Sequence, residues 1–127
     1  MFAIPLSESS STTISDLYGN APYFAFIDPV TGEITVSKND GCGDGIETAK
    51  FVKKRGATLT IFYHMGEGVF KNLIKDEIKV FSSMKKYLSI DEIYKNFLED
   101  RSVVVTKENS SELLDSGSSG CTCGCKD

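Results

Sequence analysis

No hydrophobic run in the 127-residue sequence approaches the roughly 20 residues that a membrane-spanning helix needs. Residues 1–6 are also too few for the apolar core of a secretory signal peptide. We therefore expect a cytoplasmic protein without a membrane partner. That compartment is reducing, so we expect the four cysteines to be present as thiols rather than as structural disulfides.

Positive charge is scarce. Lys and Arg number 14 against 18 Asp and Glu, which gives a net charge of −4. Proteins that bind nucleic acid through phosphate contacts cluster their cations, whereas here they are scattered among acids. The densest basic run, residues 53–55, falls at the end of a predicted helix, where cations interact favourably with the helix dipole. The composition argues against a nucleic-acid partner.

Length and composition favour one compact domain with a tail. With 40% hydrophobic and 25% charged residues, residues 1–106 suit a single core. From Lys107 the composition turns to Ser, Glu, Asp and Gly, which cannot bury a core. We expect residues 107–127 to form a flexible tail with a cysteine-rich, metal-binding end.

Helical and strand patterns alternate along the domain. Residues 22–28 and 33–37 flank an Asp-Pro-Val-Thr-Gly turn and predict an antiparallel hairpin. Helices are predicted over residues 45–55 and 67–75, and a third begins at a capping box formed by Ser89 and Glu92. Strands are predicted at residues 2–6, 57–62 and 79–81, with a further edge strand near residue 103. This order predicts a mixed α/β sheet.

The strongest functional signal is the end of the tail, where Cys121, Cys123 and Cys125 alternate with other residues. Tetrahedral thiolates at metal–sulfur bonds of about 2.3 Å lie closer together than the roughly 6.6 Å between alternate side chains of a strand. The segment therefore has to curl, which Gly120 and Gly124 allow. Three thiolates on one metal leave a coordination position open, as suits a carrier or transfer site.

Other interpretations of the tail remain open. The cysteines could be redox-active thiols, incidental surface residues or part of an added tag, because the preceding Gly-Ser-Ser-Gly resembles a linker. A disulfide between cysteines two residues apart would close a small, strained ring.

A second candidate is the glycine-rich loop that contains Gly41, Cys42 and Gly43 and leads into a predicted helix. Glycines let a backbone approach a ligand, and free N–H groups at a helix N-terminus attract anions. The same field lowers the pKa of a thiol, which makes Cys42 a candidate metal ligand. An ordinary left-handed turn explains the glycines equally well.

His64, the only histidine, follows a predicted buried strand, at the end where α/β folds place ligands. It is a candidate ligand, with a packed or surface histidine as the alternative. A linker of about 14 residues spans on the order of 20 Å, so the tail cysteines could reach Cys42 or His64 and share one ligand with them.

Three blocks carry a family resemblance: residues 18–24 (YGNAPYF), 41–45 (GCGDG) and 60–70 (TIFYHMGEGVF). Together they resemble the dinitrogenase iron-molybdenum cofactor biosynthesis family (NifX/NafY-like) over about residues 1–100. The resemblance implies a ribonuclease H-like, three-layer α/β/α fold with a five-stranded mixed sheet. It also implies that the protein binds or carries iron-molybdenum cofactor, its precursors or other metal-sulfur clusters.

Two positions depart from the family. Members commonly carry Pro-His-Phe-Gly before the Ala-Pro-Tyr-Phe segment, but residues 16–19 here read Asp-Leu-Tyr-Gly, so that histidine is missing. His64 falls where the family usually has an asparagine. The cysteine tail lies outside the resemblance and is a candidate replacement for the lost ligand.

We therefore expect a non-catalytic carrier or chaperone of an iron-sulfur or iron-molybdenum type cluster, which exchanges it with a donor or acceptor protein. A metal-sensing module that binds one soft ion such as Zn or Cu is the alternative. A nuclease is disfavoured because such enzymes hold Mg²⁺ with clustered carboxylates, and the first strand, Phe2–Leu6, has none.

Overall fold

The computed structural model describes residues 1–106 and 108–114. Residue 107 and residues 115–127 lie outside that range. The predicted metal ligands Cys121, Cys123 and Cys125 are among them, as is most of the predicted flexible tail.

A single mixed sheet organises the described chain. Its strands, in chain order, are β1 (Phe2–Leu6), β2 (Tyr23–Ile27), β3 (Ile34–Lys38), β4 (Leu59–Phe62), β5 (Lys79–Ser82) and β6 (Val103–Val104). Their spatial order is β3-β2-β1-β4-β5-β6. β1, β4 and β5 are parallel, whereas β2, β3 and β6 pair antiparallel with their neighbours.

Four helices are described: α1 (Gly45–Lys54), α2 (Glu67–Lys75), α3 (Ile90–Leu98) and the short α4 (Ser110–Leu113). Asp44 caps α1, and Ser89 with Glu92 forms the predicted capping box of α3. None of these described helices has the length and apolar content required to cross a membrane.

The helices cover both faces of the sheet. Alternation along β1 sends Phe2, Ile4 and Leu6 into one hydrophobic cluster and Ala3 into another. The first cluster packs against α3 through Ile90 and Ile93, and the second against α1 and α2. The strands are buried between the two layers because their apolar side chains have partners on each side.

Most local predictions are confirmed. The hairpin forms with Ala25 opposite Val36, and α2 spans the predicted residues. The five-stranded sheet that the resemblance implies is not found, since the described sheet has six strands. The edge strand predicted near residue 103 is confirmed, because Val103 and Val104 pair antiparallel with Ser82 and Phe81. The ribonuclease H-like classification remains a prediction.

The described chain continues beyond residue 106, which was the predicted domain boundary. Leu113 and Leu114 pack against the cluster under α1 and α2. Burial of apolar surface is favourable, so two leucines among polar residues are enough to hold this one helical turn against the core. The division into a domain and a flexible tail remains a prediction.

A buried hydrogen-bond chain ties the segment before β2 to the centre of the sheet. The Thr60 hydroxyl donates to the Ala3 carbonyl oxygen at 2.9 Å, so the Tyr18 hydroxyl, 2.7 Å away, is the donor to Thr60 Oγ1. Burial raises the pKa of Tyr18.

We expect Tyr18→Phe to destabilise the fold by about 1 kcal/mol near neutral pH, since one buried hydrogen bond is lost. Tyr18 in the unfolded chain ionises at about pH 10, and in the fold only at higher pH, so its contribution falls as pH rises above about 10. Urea unfolding at neutral and alkaline pH should show the difference between parent and variant shrinking. A difference that is constant or grows would contradict this assignment.

Candidate functional site

The predicted ligand loops lie at one edge of the sheet, which we call the carboxyl edge. It contains the ends of the parallel strands β1, β4 and β5, and the end of β3, because Lys38 pairs with Tyr23 and Tyr23 with Leu6. Parallel α/β sheets place ligands at this edge. The loop with Cys42 follows β3, and the loop with His64 follows β4.

The glycine-rich loop is held by a buried polar pair, Asn39 and Thr48. The Asn39 amide donates to the Ala21 carbonyl at 2.8 Å and to Thr48 Oγ1 at 3.0 Å, and its oxygen accepts the Gly41 N–H at 2.9 Å. Thr48 Oγ1 in turn lies 3.0 Å from the carbonyl oxygens of Gly19 and Gly41. The pair therefore fixes the loop between α1 and the segment before β2.

The expectation of free N–H groups in this loop is wrong for most of it. The N–H groups of Cys42, Gly43 and Asp44 donate to carbonyl oxygens of Asn39, Gly19 and Gly41 at 3.0–3.2 Å. At the helix start, the Asp44 carboxylate accepts the N–H groups of residues 46 and 47. These donors are satisfied within the protein, so they do not form an open cradle for an anion.

Cys42 remains a candidate through its side chain. It is half-buried, and its Sγ lies 3.6 Å from the carbonyl oxygen of Asn20. Cys42 is disulfide-bonded here, so the expectation that all four cysteines are thiols is wrong for this residue. Its approach to Asn20 is a contact and not a hydrogen bond, because the sulfur carries no proton. The other three cysteines of the chain lie outside the described residues. Metal ligation by Cys42 requires the reduced thiolate.

His64 lies two residues beyond β4, as predicted, and is half-buried. The Tyr63 ring meets the imidazole edge-on with ring centroids 4.7 Å apart, and Tyr87 stacks on Tyr63 at 4.6 Å. Met65, the next residue, is buried in the core and anchors the loop. The imidazole thus lies beside an aromatic pair in which Tyr63 is half-buried and Tyr87 is exposed.

Sequence reasoning predicted where α2 starts but did not identify that start as a candidate binding feature. Its N-cap is Gly66, which has no side chain to satisfy the first-turn N–H groups. A Cβ added at Gly66 or Gly68 would meet no atom of the described residues within 4 Å. The signal was present, because Met-Gly-Glu-Gly lacks the Ser, Thr, Asp or Asn that usually caps a helix. Of the two helix starts, α2 is the better place for an anionic ligand.

Close backbone packing brings the loops into one corner. A Cβ on Gly45 would lie 2.4 Å from Val69 Cγ2, and one on Gly19 would lie 2.8 Å from Gly45 Cα. The starts of α1 and α2 and the segment at Gly19 therefore touch, although β2 and β1 separate β3 from β4. We call this region the glycine corner, defined by Gly19, residues 41–45 and residues 64–69.

The described residues alone do not make a metal site. Within residues 1–106 and 108–114, no three His, Cys, Asp or Glu side chains are grouped so that they could hold a metal ion. The glycine corner contains Cys42 and His64, and any further ligands come from elsewhere.

These features define a mixed α/β domain whose candidate ligand loops lie at its carboxyl edge. A family model described as "Dinitrogenase iron-molybdenum cofactor" matches residues 1–100, which is most of the chain. The chain belongs to this family, as its sequence motifs indicated.

Solved structures share the fold. The apo form of the orange protein from Desulfovibrio gigas aligns with a TM-score of 0.74 and 21% identity, over 83% of this chain and 92% of that one. A candidate NifB protein from Thermotoga aligns with a TM-score of 0.68 and 24% identity, over 84% of this chain and 97% of that one. No curated protein sequence gives a significant match.

Substituting Gly41 should disrupt the glycine corner. Its Cβ would lie 2.4–2.6 Å from backbone atoms of Glu47 and Thr48, which cannot rotate away, so we expect Gly41→Ala to cost about 1–3 kcal/mol. Gly68→Ala is the matched control and should be neutral or slightly stabilising, since alanine favours a helix. Urea unfolding checks both, and equal stability of the two variants would refute the packing argument.

Proposed function

We propose that the protein is a non-catalytic carrier or chaperone for a metal-sulfur cluster of the iron-sulfur or iron-molybdenum type. Membership of the cofactor family supports the type of cargo. The observation that carries the proposal is the glycine corner, where Gly45, at the end of the Cys42 loop, packs against Val69 of α2. The loop with His64 leads into α2, which starts at Gly66 without a capping side chain. Metal-sulfur clusters are commonly anionic and bound by thiolates. The uncapped start of α2 suits the negative charge, and Cys42 supplies a thiolate when reduced.

The tail supplies the thiolates that the described residues lack. Cys121, Cys123 and Cys125 capture the cluster, and Cys42 or His64 orients it at the glycine corner. Three thiolates leave part of a cluster uncoordinated, and a linker spanning on the order of 20 Å gives the tail a high effective concentration near the domain. Ligands on a linker also release cargo more readily than a closed, rigid site.

Transfer requires a second protein, so the proposal includes a cluster donor or acceptor as partner. It also requires a reducing, cytoplasmic setting. A cysteine in a disulfide cannot ligate a cluster, and Cys42 is disulfide-bonded here, so oxidation should block loading. Binding experiments therefore have to compare the reduced and oxidised forms under anaerobic conditions.

Truncation after Ser116 should abolish most cluster or metal binding and leave the fold intact, because it removes every tail thiolate. The matched control keeps the tail length and replaces Cys121, Cys123 and Cys125 by serine; it should lose binding equally. Anaerobic titration followed by absorption spectra measures the loss. If the truncated protein binds as tightly as the full chain, the tail is not the ligand set.

Replacing Cys42 should weaken or reshape the bound species without unfolding the domain. We expect Cys42→Ala to change the charge-transfer bands of the loaded, reduced protein, and His64→Ala to cause a milder loss. Circular dichroism controls for folding. Spectra and affinities identical to those of the parent would mean that Cys42 only forms part of the turn and is not a ligand.

The shared site has its own test. Backbone amide spectra of the reduced protein should shift on loading around Cys42, His64 and the start of α2, as well as in residues 120–127. Shifts confined to residues 120–127 would mean that the tail binds metal independently and that the glycine corner takes no part.

A further inference from the structure

Among the described residues, no strand pairs with the outer side of β3. Ile34 and Val36 are 45% and 39% exposed, and β3 is the last strand of the sheet on that side. The opposite edge, β6, is only two residues long. An edge strand presents a row of backbone donors and acceptors that another strand can use.

The direction of these backbone groups follows from the pairing with β2. The N–H of Asp28 donates to the Glu33 carbonyl and the N–H of Asn39 donates to the Pro22 carbonyl, so odd-numbered residues of β3 bond to β2. Hydrogen bonding alternates along an antiparallel pair. Ile34, Val36 and Lys38 therefore direct their N–H and C=O groups away from the sheet.

The features that usually protect such an edge are nearly absent from β3. Its sequence, Ile-Thr-Val-Ser-Lys, contains no proline, and its pairs with β2 run without a bulge. Its only charge is Lys38, at the end of the strand. Ile34 and Val36 point to the face on which Ile27 and Ala25, their partners in β2, belong to the α3-side cluster. The apolar face thus continues to the edge.

We propose that β3 pairs with β3 of a second copy of this chain, which forms a symmetric dimer with a continuous sheet. An antiparallel pair centred on Val36 places Ile34 opposite the partner's Lys38 and Thr35 opposite the partner's Ser37. In that register every outward N–H and C=O of the strand has a partner. A shift by two residues leaves Ile34 or Lys38 outside the ladder.

The side chains also fit a second copy. Val36 meets its own symmetry mate, Ile34 packs along the aliphatic part of the lysine opposite, and the hydroxyls of Thr35 and Ser37 face each other. No charge of the strand opposes a like charge, which is the arrangement that cross-strand pairing favours. The surface is self-complementary, as an isologous interface requires. This interface is distinct from the glycine corner.

One strand pair is a small interface, so we expect association only at high concentration. Sedimentation equilibrium of the full, reduced chain from about 10 μM to about 1 mM should show a monomer–dimer equilibrium. Reductant excludes dimers linked through cysteines. Over the same range, amide exchange of Ile34, Val36 and Lys38 should slow, whereas Thr35 and Ser37 are already protected by β2.

Val36→Lys places two like charges opposite each other at the symmetry axis, and we expect it to weaken the dimer about five-fold or more. Val103→Lys on β6 is the matched control, since Val103 is also an exposed edge valine, and it should leave association unchanged. A parent that stays monomeric at about 1 mM, a dimer unaffected by Val36→Lys, or unchanged exchange at Ile34, Val36 and Lys38 would each overturn the proposal.

Discussion

Close backbone contact at the glycine corner is the constraint on which the candidate site depends. Gly19 lies against Gly45, Gly41 against the backbone of Glu47 and Thr48, and Gly45 against Val69. A side chain at Gly45 would press on Val69 of α2, and one at Gly19 or Gly41 would press on the backbone at the start of α1. The buried Asn39–Thr48 pair fixes the same contacts through hydrogen bonds. Packing and polar bonding therefore specify one arrangement.

Local signals in the sequence were sufficient for most of the fold. The turn at residues 28–32 and the capping box at Ser89 encode their structures within a few residues, so the hairpin and α3 were predictable. The edge strand near residue 103 was predicted from its valines, but its pairing with β5 was not, because that contact is distant in sequence. The docking of Leu113 and Leu114 depends on the core in the same way.

The candidate site was predictable in its residues but not in its hydrogen bonding. Spacing placed Cys42 before a helix and His64 after a strand, and both lie there. That the loop amides are satisfied by Asn39, Gly19 and Gly41 could not be derived, since their partners are set by the tertiary fold. The sequence shows that α2 lacks a capping side chain. It does not show that this helix start lies beside the His64 loop and the Cys42 loop, which is what makes it a candidate binding feature.

Family membership and the glycine corner support the proposed cluster carrier, in which the ligands would be divided between domain and tail. The most direct test is anaerobic purification of the full chain, followed by metal and acid-labile sulfide analysis with an absorption spectrum. The account predicts a coloured protein with several metal ions and inorganic sulfide per chain, and loss of that colour when the tail cysteines are replaced. A single colourless Zn²⁺ without sulfide would contradict it and indicate a metal-sensing module instead.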